Sequence, residues 1–316
     1  MPYKRRSYRK APYRVRALPR RTTRTKRTYR RSAVRKKVYR KKRYARRVLN
    51  VSTRKKQDNM QPMVINVTGP PDTPTPGPFQ MNASDGLQIC LWNATWRPKL
   101  TQLGGAQPTV DDDATRTSTR TWMRGLAERI EIQTSGSAAW EWRRITFTFF
   151  SNHFYLFNDD PLNNGTAVRY NIETNTGVNR ALTFFNGGNT NDAALVTQLF
   201  AYVFKGAQDT DWRNPMTAKT HSDRVRIKSD HTTLIRSGND AGIIKKYRKY
   251  HPMNRTLIYD EDEVGGVVGD GVLSAAVNAS MGDYYVLDIF KPTLAAQETE
   301  ESLTFAPEAT LYWHER

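Results

Sequence analysis

Apolar side chains recur at every second position through much of the chain beyond residue 80. In LAERIEIQ (126–133) Leu126, Ile130 and Ile132 fall on one face. In ITFTFF (145–150) Ile145, Phe147 and Phe149 fall on one face with threonines opposite. A period of two marks a strand with one covered side, so both segments are expected to be half-buried β-strands. Shorter runs of the same kind are LQICLW (87–92), RVRI (224–227), HTTLIR (231–236), RTLIY (255–259), YYVLDIF (284–290) and ATLYWHE (309–315). In AWEWRRITFTFF the apolar parity switches between Trp142 and Ile145, which predicts a bulge at Arg143 and Arg144. Turn-rich stretches such as NNGT (163–166) and FNGGNTND (185–192) separate the runs.

One segment departs from this period. Leu195, Leu199 and Val203 stand four residues apart, predicting a helix over 193–205 with Asp192 as N-cap, Lys205 in the last turn and Gly206 beyond it. Many strands, long loops and one short inserted helix describe an all-β fold, a jelly roll or another sandwich. Ahead of it, GPPDTPTPGP (69–78) holds five prolines in ten residues. Proline fixes φ and lacks an N–H donor, so this piece is expected to be an extended connector or surface loop outside any sheet interior.

Charge divides the chain in two. Residues 1–56 contain 26 of its 50 Lys and Arg and none of its 30 Asp and Glu, leaving 24 basic and 30 acidic residues for the rest. The net +20 and the pI near 10.1 therefore conceal an arm of +26 and a body of −6. The reading is an arm over 1–57, expected to be disordered alone because like charges repel and too little apolar surface is present to offset the entropy of ordering. The folded domain is expected over 58–316.

Such an arm calls for a polyanion. Its cations are Lys4, Arg5, Arg6, Arg9, Lys10, Arg14, Arg16, Arg20, Arg21, Arg24, Lys26, Arg27, Arg30, Arg31, Arg35, Lys36, Lys37, Arg40, Lys41, Lys42, Arg43, Arg46, Arg47, Arg54, Lys55 and Lys56. No helical apolar stripe accompanies them, which argues against membrane binding and for nucleic acid. Tyr3, Tyr8, Tyr13, Tyr29, Tyr39 and Tyr44 interleave the cations. Rings can stack on unpaired bases without sequence preference, so single strands are favoured over duplex. There are no zinc-finger Cys/His pairs and no heptads, the usual signatures of base readout. Arg35, Lys36 and Lys37, followed by Arg40, Lys41, Lys42 and Arg43, also have the density of a nuclear-import signal, with host import receptors as its readers.

Candidate chemistry is sparse. His153, His221, His231, His251 and His314 show no metal-ligand spacing. HisSerAsp (221–223) contains triad residue types, but a triad is a spatial constellation and adjacency in sequence does not make one. AspAspAsp (111–113) and AspGluAspGlu (260–263) have the oxygens to hold a hard cation, although a solvated loop explains them as well. The glycines at 265, 266, 269 and 271 do not form a phosphate-cradling motif. Cys90 is the single cysteine, so internal disulfides are excluded. The expectation is a nonenzymatic protein without cofactor, metal or catalytic residues.

RRVLNVSTRKKQDNM (46–60), FKGAQDTDWRNPMTAKTHSDRVRIKSDHTTLIRSGNDAG (204–242), KKYRKYHPMNRTLIYDEDEVGG (245–266) and the terminal LTFAPEATLYWHER resemble the capsid proteins of genomoviruses, small circular single-stranded DNA viruses. The layout is more distantly similar to geminivirus coat proteins. The resemblance implies a viral jelly roll of two four-stranded antiparallel sheets, a small icosahedral T=1 shell of identical subunits, and packaging of circular single-stranded DNA by an inward arm. It also implies residence in the virion and, during infection, in the host nucleus. A cellular chromatin-like protein and the coat of a small RNA virus remain alternatives, since phosphates look alike to arginine.

Overall fold

The structure, a computed structural model, describes residues 51–65, 74–99, 109, 111–150, 154, 172–174, 177–186, 190–269, 271–294 and 300–315. Thr53–Arg316 form one compact unit, separate from the residues before it. The described strands all belong to it. In chain order they are β1 (Arg54–Met60), β2 (Pro62–Ile65), β3 (Thr75–Pro76), β4 (Phe79–Asn82), β5 (Gln88–Asn93), β6 (Arg120–Thr134), β7 (Trp140–Phe149), β8 (Ile172–Thr174) and β9 (Gly177–Asn186). A helix, α1 (Thr190–Val203), precedes β10 (Arg226–Ile235), β11 (Ile243–Ile258), β12 (Glu263–Val264), β13 (Val267–Val268), β14 (Asp283–Pro292) and β15 (Ser302–Glu315).

Two sheets carry the fold. The first has the order β1-β15-β6-β11, with β4 also paired to β15. The second has the order β10-β7-β14-β5-β9-β2-β3, with β8 on β9. They contain five and eight strands, where four and four were expected. The additions are β1, which lies along β15, and β9, which pairs with β5, carries β8 and is joined in parallel by β2, itself paired to β3. Of the proline-rich stretch, residues 69–73 lie outside the described residues. Thr75 and Pro76 form the outermost exposed strand, a place where a missing N–H donor costs nothing.

The sheets meet face to face. One apolar cluster between them gathers Met123, Leu126, Leu257, Tyr284, Val286, Leu311 and Trp313. A second gathers Ile130, Ile132, Trp140, Trp142, Phe184, Phe290, Leu303 and Phe305. The far side of the eight-stranded sheet is covered too, by α1 and the segment that follows it. Val196, Leu199, Phe200 and Val203 pack there on Ile89, Leu91, Phe147, Leu287 and Ile289. Their spacing of i, i+3, i+4 and i+7 is a helical stripe.

Three expectations are corrected. The helix begins at Thr190, so Asp192 lies inside its first turn and does not cap it, and it ends before Lys205 because Phe204 leaves to bridge Thr220. No bulge interrupts β7, which pairs with β14 in unbroken register from Trp140 to Phe149; the register shift lies on β10, between Ile227 and Ser229. Nor is β7 half buried. Trp140, Trp142, Arg144, Thr146 and Thr148 face the opposite sheet, while Arg143, Ile145 and Phe147 face the helical layer, and all are nearly inaccessible. A strand covered on both sides has no polar face to alternate with, so its apolar parity carries no bulge signal.

Candidate nucleic-acid interface

The arm cations Lys4 to Arg47, both import tracts and the six tyrosines lie outside the described residues. Arg54, Lys55 and Lys56 are described, and they belong to β1, paired in register with Glu315, His314 and Trp313. The folded unit thus starts at Thr53, ahead of the expected boundary at 57. Lys56 is removed from the phosphate-binding set: its side chain is 1% exposed, its Nζ donates to the Thr115 carbonyl at 2.8 Å, and Glu315 Oε2 lies 3.3 Å away. Glu315 also accepts from Trp313 Nε1 at 2.7 Å. Arg54 pairs with Asp111 at 2.8 Å on the open surface, where such a pair contributes little and leaves the guanidinium accessible. Lys55 is exposed.

Between the sheets the structure assembles a knot of charge that the sequence reading passed over. Arg144 on β7 forms a two-pronged pair with Asp288 on β14, Nε to Oδ1 at 2.7 Å and Nη2 to Oδ2 at 2.9 Å. The same guanidinium reaches across to Glu128 on β6 at 2.8 Å, joining one sheet to the other. Arg180 on β9 donates from Nη2 to Glu128 at 3.1 Å and to Asp288 at 3.3 Å, and its Cζ lies 4.6 Å from the Trp92 ring centroid. His251 Nε2 stands 2.9 Å from Glu128, and Trp142 Nε1 donates to Asp288 at 2.8 Å. Burial alone would raise the Glu128 pKa. The Arg144 charge, the His251 hydrogen bond and Arg180 outweigh it and hold the carboxyl well below its usual range. Two carboxylates balance two guanidiniums, an arrangement that fastens one sheet to the other. The available signal was an ionisable residue at an inward parity position: Glu128 lies in line with Leu126 and Ile130, and Asp288 with Val286 and Phe290.

Three members of the acidic clusters are engaged within the chain. Asp111 pairs with Arg54, the Asp112 carboxylate accepts from Thr109, and Glu261 pairs with Arg116 at 2.5 Å, which stacks on Tyr259. No group of three or more potential metal ligands occurs among the described residues. Within HisSerAsp, His221 is partly buried and Ser222 and Asp223 are exposed, with no hydrogen bond from one side chain to another among the described residues. Asp283 differs from these carboxylates, being buried without a cation. Ser274 N donates to it at 3.0 Å, and burial pushes its pKa up to about 7.

The body's charge is uneven. Residues 224–255, spanning β10 and β11, hold nine Lys and Arg against two acidic residues, Asp230 and Asp240. These strands are free edges of their respective sheets among the described residues. On β10, Arg226, Lys228 and His231 are exposed. On β11, Lys245 and Lys249 share the inward parity of Tyr247 and His251, Arg248 lies on the outer face, and Arg255 follows a register shift. No protein-family model matches the chain, and no curated protein matches it.

Proposed function

We propose that this chain is a structural subunit that assembles into a small closed shell and packages single-stranded DNA through its N-terminal arm. The observation that carries the reading is the separation of charge: 23 cations precede residue 48 without one carboxylate, and a compact two-sheet body follows. Eight of the strands support a jelly roll. β4, β6, β11 and β15 share one sheet and β5, β7, β10 and β14 the other, with the orders β4-β15-β6-β11 and β5-β14-β7-β10. This interleaved order is the one that paired Greek keys would give, which supports the reading. The genomovirus-like segments at 46–60, 204–266 and the C-terminus support the same assignment. A shell of sixty copies, the simplest icosahedral set, would bring roughly 1,400 arm charges to its interior, enough for about that many phosphates.

Electron microscopy and nuclease digestion of the purified full-length protein test the proposal. Closed particles holding a DNase-sensitive, RNase-resistant single strand are expected after disruption. A version lacking residues 1–45 should keep its fold and package nothing. Monomers or dimers only would favour a cellular nucleic-acid-binding protein, and RNase-sensitive contents would favour an RNA coat.

A further inference from the structure

The basic stretch 224–255 is not a uniform surface. The register of each edge strand places its side chains. On β10, Arg226 lies opposite Thr148 and His231 opposite Arg144, positions of β7 that face the other sheet, and Lys228 sits in the register shift between Ile227 and Ser229. On β11, Lys245 lies opposite Ile132, Lys249 opposite Glu128 and Arg255 opposite Met123, all inward positions of β6. The two sets therefore turn toward each other across the open side of the sandwich. Trp142 of β7 touches Tyr247 of β11, with ring centroids 5.3 Å apart, and Ile235, Ile243 and Tyr247 pack together at the closed end. Lys228 senses its surroundings directly: burial, then Arg255 and Arg226, lowers its pKa.

The two facing edges carry five cations and a histidine, which we take to line a cleft. None of the five forms an ion pair with a described residue, and the nearby carboxylates are already engaged. Glu128 belongs to Arg144, Arg180 and His251, Glu131 to Lys246 on the outer face, and Asp230 to Arg143 on the helical side. Like charges held side by side on facing strands oppose folding, so the arrangement is suited to an anion that arrives from outside. The geometry points to the β10–β11 cleft as a phosphate-binding groove for the backbone of a single nucleic-acid strand, formed by the folded body separately from the arm. A groove that tracks a charged backbone is the usual electrostatic half of a single-strand site. Of the acidic loops 111–113 and 260–263, which a second copy could offer instead, Asp111, Asp112 and Glu261 are engaged within their own chain. The identity of the polyanion rests on the packaging reading; the cleft's charge does not.

Lysine acylation of the full-length protein, read residue by residue by mass spectrometry, tests the groove with an oligothymidylate as probe. Lys228, Lys245 and Lys249 are expected to lose reactivity at least about threefold in the complex, while exposed Lys205 and Lys219 beside the helical layer keep theirs. Unchanged cleft lysines alongside protected arm lysines would overturn the groove and leave packaging standing. Protection nowhere, the arm included, would overturn both. Cleft protection on assembly without nucleic acid would assign the surface to a neighbouring subunit and overturn the groove. In the full-length chain, combined Lys228→Gln, Lys249→Gln and Arg255→Gln should reduce the salt slope of oligothymidylate binding by about 2, from about 0.7 per lost phosphate contact. An unchanged slope in a variant with wild-type near-UV circular dichroism would refute the assignment.

Discussion

Arg144 and Asp288 stand directly opposite each other on β7 and β14, joined by two hydrogen bonds of 2.7 and 2.9 Å in a space that water does not reach. Glu128 completes the contact from the other sheet. Removing one member leaves the others charged and buried, which is far costlier than the worth of the pair itself. Arg144→Leu should therefore lower unfolding stability by about 3 to 5 kcal/mol in denaturant titration. Joint replacement of Arg144 and Asp288 by apolar residues should be much less damaging than the two single losses added together. Additive effects would show that the two residues do not act as a unit.

Lys56 separates structural charge from packaging charge. Lys56→Met leaves Glu315 buried, although Thr117 and Trp313 still donate to it, and should cost about 2 to 3 kcal/mol. The salt slope of single-strand binding should not change. A shallower slope in the folded variant would return Lys56 to the phosphate-binding set.

Asp283 sets a pH dependence with a definite sign. Its folded pKa of about 7 lies above the ordinary 3.8, so the folded state holds this proton more tightly than the unfolded chain. Its contribution is fully present below about pH 4 and is lost as pH rises through about 7. Glu128 acts in the opposite direction, its depressed pKa contributing stability above about pH 4.5 that is lost on further acidification. Melting curves should thus show a stability maximum in mildly acidic solution. Asp283→Asn should flatten the decline toward neutrality, and a decline that persists would place its origin elsewhere.

Cys90 is buried between the sheets, and burial, opposed by Arg180, pushes its thiol pKa up to about 12. Because the thiolate is the reactive form, disulfide reagents should label it only on unfolding. Its labelling rate should track the denaturant dependence of unfolding; fast labelling of the native protein would contradict the burial.

Nuclear import is expected to reside in the arm. A fluorescent reporter fused to residues 1–57 should accumulate in nuclei, and neutralising Arg35, Lys36, Lys37, Arg40, Lys41, Lys42 and Arg43 together should abolish this. A reporter that stays cytoplasmic would rule the tracts out as a sufficient signal.

What the sequence determined by itself was local. The strands around Leu126, Ile145, Val286 and Leu311 were legible because apolar side chains at a period of two need no partner to be recognised, and the charge of the arm is a matter of counting. Tertiary structure decided everything that depends on a second surface. β7 looked half buried because the helical layer behind it is invisible from its own residues. Arg144, Glu128, Arg180 and Asp288 lie on four strands divided between two sheets, so only the packing of the sheets could bring them together. The same holds for Lys56, which composition assigns to the arm and Glu315, 259 residues later, holds in the fold. The facing of β10 and β11 is likewise a matter of sheet order: two basic runs adjacent in sequence became opposing walls because each is the last strand of a different sheet.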